Sequence, residues 1–128
     1  PSSFYYDISF LLDTNQVDLA QKYVLENEDT LNGDQYGLML TLAQRFEKEN
    51  RFLVSTIIYR ELLESILHRA QSKYYQYGVR YLKKLEKLAP QVSDWQGVLP
   101  HELYFKKIAE THARKKSFWD KYEREEQK

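Results

Sequence analysis

The sequence contains no cysteine and few residues that interrupt helices. Without cysteine, the chain can form no disulfide, hold no Cys-ligated zinc and use no thiol as a nucleophile. Only four glycines and three prolines occur among 128 residues, which disfavours a turn-rich β fold. No apolar run approaches the roughly 20 residues that cross a bilayer, because the longest is interrupted by Ser55 and Thr56. We therefore expect no membrane contact, and the absence of cysteine is compatible with a cytoplasmic protein.

An excess of charge of either sign is also absent, but the two halves of the chain differ. Nineteen Lys and Arg residues balance nineteen Asp and Glu residues, so net charge by itself indicates neither a nucleic-acid nor a membrane ligand. Residues 1–64 contain 5 basic and 11 acidic side chains, whereas residues 65–128 contain 14 basic and 8 acidic ones. Such a separation is typical of a surface that meets a partner. A second copy of the chain is one candidate, since its acidic first half could contact the basic second half.

Helical periodicity runs along most of the sequence. Apolar residues recur at intervals of three and four, and no useful stretch alternates with period two. We therefore predict an all-α domain of about six helices over residues 1–122. The charged residues 123–128 should form a frayed tail.

Three local features sharpen this prediction. The helix from about Phe52 to Ala70 has the broadest apolar face and should be the most buried element. Asp34, after the turn residues Asn32 and Gly33, is expected to be the N-cap of the third helix. The last helix should begin at Pro100 and continue through residue 122.

Two of the predicted helices are related by a shift of 35 residues. The small residue Ala43 stands three places before Phe46, and Gly78 stands three places before Tyr81. In tetratricopeptide repeats, whose period is close to this value, a small residue lets the paired helix approach and an aromatic side chain fills the groove beside it. Ser55, twelve residues after Ala43, falls where the second helix of such a pair also needs a small residue. The spacing favours antiparallel helix pairs in a tetratricopeptide-like (TPR-like) α-solenoid array.

The motifs of familiar catalytic and metal sites are missing. No Ser–His–Asp spacing, glycine-rich phosphate loop or HExxH motif occurs, so we expect no enzyme, no metal site and no cofactor. Glu64 and His68 are four residues apart, which indicates a pair on one helix surface. His101, His112 and Trp119 would share the apolar side of one continuous last helix. Packing is the simplest role for these two histidines, because the eleven residues between them are too many for a shared metal.

A basic stretch with interspersed aromatic residues is the best candidate for a binding surface. On a helix from Ser72 to Ala89, four cations gather within about 60° of one another, opposite the apolar stripe, and a tyrosine stands at their border. A second basic group follows on the last helix. The candidate binding residues are Lys73, Tyr77, Arg80, Lys84, Lys87, Lys107 and Arg114. If both groups faced the same way, they could hold phosphates or an acidic peptide.

Several interpretations of this basic face stay open. It could be an ordinary solvated helix surface, a site for a protein or acidic peptide, or a nucleic-acid site. We predict a non-enzymatic scaffold or protein-interaction domain. The alternative is a nucleic-acid-binding domain that uses the basic strip of the fifth and sixth helices.

Several segments resemble one bacterial family of domains of unknown function. These segments are residues 29–36, 72–82, 88–95, 100–104 and 112–119. The most specific is the closing His-x-Arg-Lys-x-x-Phe-Trp pattern at 112–119. One departure is visible, because Thr14 and Asn15 stand where the family pattern would have Trp-Pro near the second helix.

The resemblance implies a helical domain from the carboxyl-terminal part of a longer bacterial protein, and it implies no activity. A start at Pro1 without an initiator Met fits a piece of a longer chain. The motif residues for which we expect a structural role are Trp95, His101, His112, Phe118 and Trp119.

Overall fold

The computed structural model describes residues 2–127, which form seven α-helices and no strand. The helices are α1 (Ser2–Asp13), α2 (Val17–Glu26), α3 (Tyr36–Lys48), α4 (Phe52–Arg69), α5 (Tyr75–Leu88), α6 (His101–Thr111) and α7 (Lys116–Glu126). Short 3₁₀ turns occupy Glu28–Thr30, Ser72–Tyr74 and Ala89–Gln91. The all-α prediction is confirmed, although the described helices number seven and not about six. Residues 123–126 of the predicted tail belong to α7, and residues 1 and 128 lie outside the described residues.

Helix α4 is the most buried of these helices, as its broad apolar face predicts. Twelve of its eighteen residues are buried, and α3 and α5 make their most extensive contacts with it. A helix that is apolar nearly all round belongs in the interior of a domain. Its polar residue Ser55 is accommodated there because the hydroxyl donates a 2.8 Å hydrogen bond to the carbonyl of Ala43 on α3. Within residues 2–127, neither α4 nor any other helix is long and apolar enough to cross a membrane.

The predicted last helix is two helices, so the prediction of a continuous one was wrong. The chain leaves α6 at His112, whose carbonyl accepts hydrogen bonds from the Lys115 amide and the Trp119 indole, both at 3.0 Å. The turn brings α7 against α5, where Phe118 is fully buried. Burying such a side chain stabilises by about 1.5–3 kcal/mol, against about 1 kcal/mol for one hydrogen bond. The broken helix is therefore the more stable arrangement.

The turn before α3 is held close to α4 by a glycine. A Cβ atom on Gly33 would lie 2.3 Å from the carbonyl oxygen of Glu61 and 2.7 Å from the Cβ of Ser65. Asp34 does not cap α3, which begins at Tyr36 without a side-chain cap, so that prediction was wrong. The close docking places Asp34 beside α4, where its carboxylate accepts a 2.6 Å hydrogen bond from the Ser65 hydroxyl.

Replacing Gly33 by alanine should destabilise the fold. A methyl group would force the turn away from the α4 backbone, at a cost of about 1–3 kcal/mol. Alanine also makes the unfolded chain less flexible, which stabilises the fold by at most about 1 kcal/mol. The cost of moving the turn exceeds this stabilisation. The matched control is Gly37→Ala on α3, where a Cβ atom would meet nothing within 4 Å. Chemical denaturation should show a lower free energy of unfolding for Gly33→Ala and an unchanged or slightly higher one for Gly37→Ala. Equal effects would contradict the close docking.

Candidate functional site

A groove of about 670 Å³ lies between α5 and α7 and is lined mainly by cations. Phe118 holds the two helices together, because its ring packs edge-to-face on Tyr75 at 5.6 Å and a Cβ atom on Gly78 would lie 3.0 Å from it. With the apolar sides joined, basic side chains from both helices border the groove. Its lining residues are Gln76, Val79, Arg80, Lys83, Lys84, Lys87, Lys121, Arg124 and Glu125. We call this the basic groove.

Two of its six cations are paired with acidic residues of the same chain. Lys84 forms an ion pair of 3.0 Å with Glu47 of α3. Lys83 pairs with Glu126 of α7 and lies 3.8 Å from Glu86. Such pairs near the surface contribute at most about 1 kcal/mol to the stability of the fold. They orient the lysines, and a ligand carboxylate could replace these partners.

Three other cations of the basic groove are exposed. These are Arg80 and Lys87 on α5 and Arg124 on α7. The guanidinium of Arg80 lies 5.4 Å from the centre of the Tyr77 ring, which holds it by a cation–π contact. Tyr77, one of the predicted binding residues, does not line the basic groove itself but lies at its edge through this contact with Arg80.

The structure brings some of the predicted binding residues together and places others elsewhere. Those that line the basic groove are Arg80, Lys84 and Lys87. Lys73 precedes α5, and its ammonium lies 5.1 Å from the Tyr74 ring centre. Lys107 on α6 and Arg114 in the turn after α6 are exposed and do not line this groove.

Two cations of the basic groove were missed by sequence reasoning, whereas Lys121 belonged to the second basic group on the predicted last helix. Lys83 was left out because it lies at the side of the predicted basic face of α5. Arg124 was assigned to the tail, although its spacing of three from Lys121 puts both on one side of a helix. Extending the last helix by one turn would have identified Arg124.

Acidic side chains gather at a separate depression of about 370 Å³ beside α4. Asp34, Glu61 and Glu64 line it. Burial raises the pKa of the Glu61 carboxyl, and the charges of Glu64 and Glu28 raise it further. In the described part of the chain, no group of three or more His, Asp or Glu side chains is placed to hold a metal ion. The acidic depression and the basic groove are thus lined by different parts of the molecule.

Trp95 covers a buried cation of α4. Arg60 is 7% exposed, and its guanidinium lies 4.1 Å from the Tyr104 ring centre and 5.5 Å from that of Trp95. The Tyr104 hydroxyl donates a 3.1 Å hydrogen bond to Glu64. Burial lowers the pKa of Arg60, and the neighbouring Tyr104 and Glu64 offset part of that shift. This cluster attaches α6 and the preceding linker to α4.

The aromatic residues of the closing motif connect α6 with α7. The Phe105 ring lies 5.8 Å from Trp119 and 5.7 Å from Tyr122, and His101 lies 6.2 Å from Phe105. Aromatic pairs at such distances add about 0.5–1.5 kcal/mol each beyond the area they bury. His101 and Trp119 therefore contact one residue, Phe105, although they lie on different helices.

His112 is buried at the turn between α6 and α7. It is 5% exposed, its Nδ1 atom has no hydrogen-bond partner among the described residues, and its ring lies 5.5 Å from that of His68. Burial lowers the pKa of His112, and the nearby Lys115 and His68 lower it further. Burial and the charge of Arg60 likewise lower the pKa of His101. Both histidines are therefore held in the neutral form at neutral pH.

Stability should fall as the pH is lowered through the range in which an unfolded histidine takes up a proton. The folded-state pKa of His112 is depressed, so below about pH 6.5 the unfolded chain binds more protons than the folded one. The free energy of unfolding should be measured at about pH 7.5 and about pH 5. Its decrease between these two pH values should be smaller for His112→Gln than for the unchanged chain. The control is His68→Gln, which replaces the exposed histidine beside His112. It should keep most of the decrease in stability at low pH, because burial is the main cause of the lowered pKa of His112. An undiminished loss in His112→Gln would contradict this assignment.

Comparison with known proteins identifies a family for the chain. No curated protein and no solved structure matches it. A family model described as "Family of unknown function (DUF6880)" matches residues 2–121, which include α1 to α6 and half of α7. The chain therefore belongs to the DUF6880 family, a family of unknown function.

Proposed function

We propose that this chain is a non-enzymatic helical interaction domain that binds an acidic segment of a protein partner in the basic groove. The observation that carries the proposal is the concentration of six cations around one groove of about 670 Å³, three of them exposed. Carboxylates of a partner would form charge-assisted hydrogen bonds with the exposed cations. The ring of Tyr77 at the edge would add apolar contact, as tyrosine commonly does at interfaces.

An acidic protein segment suits this groove better than a nucleic acid. Glu47, Glu86 and Glu126 lie against the groove lysines, so an unbroken row of phosphates would meet three carboxylates. Nucleic-acid sites depend on many phosphate contacts along a positive stripe. Lys107 and Arg114, which would lengthen such a stripe, do not line the groove. A peptide can instead place its carboxylates only where exposed cations are found.

We further propose that α3, α4 and α5 form a TPR-like unit of the domain. Ser55 of α4 contacts Ala43 of α3 by a buried hydrogen bond, at the small residues that the repeat requires. On the next helix, a Cβ atom on Gly78 would lie 3.2 Å from Ile66 of α4. Helices stacked in this way leave elongated grooves that suit peptide segments. The proposed setting is the bacterial cytoplasm, which the cysteine-free composition fits.

Reversing two exposed charges of the basic groove should weaken this binding strongly. The variant Lys87→Glu/Arg124→Glu is compared with Lys106→Glu/Lys107→Glu on α6, which changes net charge equally away from the groove. The probes are a fluorescein-labelled peptide whose glutamates are spaced by serine and glycine, and a labelled single-stranded DNA oligonucleotide, both measured by fluorescence anisotropy. We expect the groove variant to lose about ten-fold or more in affinity for the peptide, and the α6 variant to lose much less.

Two results would contradict the proposal. Equal losses in both variants would show that binding follows net charge and not the groove. Tighter binding of the oligonucleotide than of the peptide at matched salt, with a steep decline as salt rises, would assign the groove to nucleic acid instead.

A further inference from the structure

A second groove, of about 300 Å³, borders the other edge of Tyr77. It lies between α3, α4 and α5, and tyrosines form most of its walls. Its lining residues are Gly33, Tyr36, Leu40, Leu62, Ile66, Arg69, Tyr74, Tyr77 and Tyr81. We call this the tyrosine groove. No acidic side chain is among the described residues that line it.

The tyrosine groove has an apolar floor and exposed aromatic walls. Leu62 and Ile66 of α4 form the floor and are almost fully buried, whereas Tyr36 is 60% exposed and Tyr77 is 41% exposed. Burial raises the pKa of Tyr81, which keeps that wall neutral. Large exposed rings around an aliphatic floor are typical of a binding surface, since tyrosine offers rigid contact area at low entropic cost.

Cations surround the tyrosine groove on the side of α5. The guanidinium of Arg69 lies 5.3 Å from the Tyr74 ring centre, and Lys73 lies over the same ring. Arg80 lies over Tyr77 and at the same time lines the basic groove. The pair Tyr77–Arg80 is thus a ridge shared by the two grooves. A ligand that extends from one groove into the other would pass the Arg80 guanidinium.

We propose that the tyrosine groove holds an apolar anchor side chain, phenylalanine or leucine, of the acidic segment that the basic groove binds. This inference rests on the function proposed above and specifies the partner's recognition sequence as an apolar anchor with acidic residues beside it. The anchor's side chain would displace water from the exposed rings of Tyr36 and Tyr77. Its neighbouring carboxylates would face Arg69, Lys73 and Arg80. Gly33 and Arg69 also line the acidic depression, so the cations near Tyr74 and Tyr77, and not that side, favour an acidic segment.

Two labelled peptides of equal length test the anchor. One is acidic with a central phenylalanine, and the other has alanine at that position. We expect the phenylalanine peptide to bind at least about ten-fold more tightly than the alanine peptide. Burial of one aromatic side chain supplies the free energy for that difference in affinity. In methyl NMR spectra, the Leu62 and Ile66 signals should shift with the phenylalanine peptide and not with the alanine peptide.

Matched variants on the protein side separate the tyrosine groove from other exposed aromatic rings. Tyr36→Ser should remove most of the difference in affinity between the phenylalanine and alanine peptides. Tyr6→Ser on α1 should leave that difference unchanged, because Tyr6 is 61% exposed and lines neither groove. Both positions are exposed, so both variants should fold, which circular dichroism verifies.

The outcomes distinguish this inference from the proposed function. Equal affinities of the two peptides, with binding still lost in Lys87→Glu/Arg124→Glu, would overturn the anchor and leave the basic groove standing. Binding of neither peptide would overturn both. Dimerisation of the chain by sedimentation, lost in Tyr36→Ser, would assign the tyrosine groove to a second copy and would also overturn the anchor.

Discussion

Helix α4 buries twelve of its eighteen residues, and the packing of the neighbouring helices follows from covering it. Its contacts with α3 and α5 are the most extensive, and α2 also packs against it. Of the polar groups carried inside, the Ser55 hydroxyl bonds to a carbonyl of α3, and Trp95 and Tyr104 cover the Arg60 guanidinium. Because each buried apolar side chain contributes about 1.5–3 kcal/mol, the enclosure of this one helix outweighs the surface ion pairs of the whole domain.

The position of α5 follows from that constraint and creates both grooves. One side of α5 packs on α4, and Gly78 is small enough to admit Phe118 of α7. The remaining surface of α5 is divided at Tyr77 and Arg80, with Tyr77 and Tyr81 lining the tyrosine groove and the lysines lining the basic groove. A single helix thus presents an apolar and a cationic surface side by side, which suits a ligand with both properties.

The features that could be predicted from the sequence are those that depend on local periodicity. The all-α class, the burial of α4 and the basic side of α5 could be read from apolar spacing alone. The division of the last helix could not, because it depends on the tertiary burial of Phe118 and on the Trp119 indole, which bonds to the carbonyl of His112. Asp34 is likewise a residue type that often caps helices. Because Gly33 lets the turn lie close to α4, the Asp34 carboxylate accepts a hydrogen bond from Ser65 instead of capping α3. The tyrosine groove was missed because its walls come from three consecutive helices, and only their tertiary packing decides which side chains border one groove.

Native-state hydrogen exchange followed by NMR tests most directly whether α4 organises the domain. Amides in the core of a cooperative unit exchange only through global unfolding, whereas peripheral helices open locally. The account predicts that the slowest amides lie in α4, between Val54 and Leu67, and that those of α6 and α7 exchange faster. Faster exchange in α4 than in α6 and α7 would contradict it.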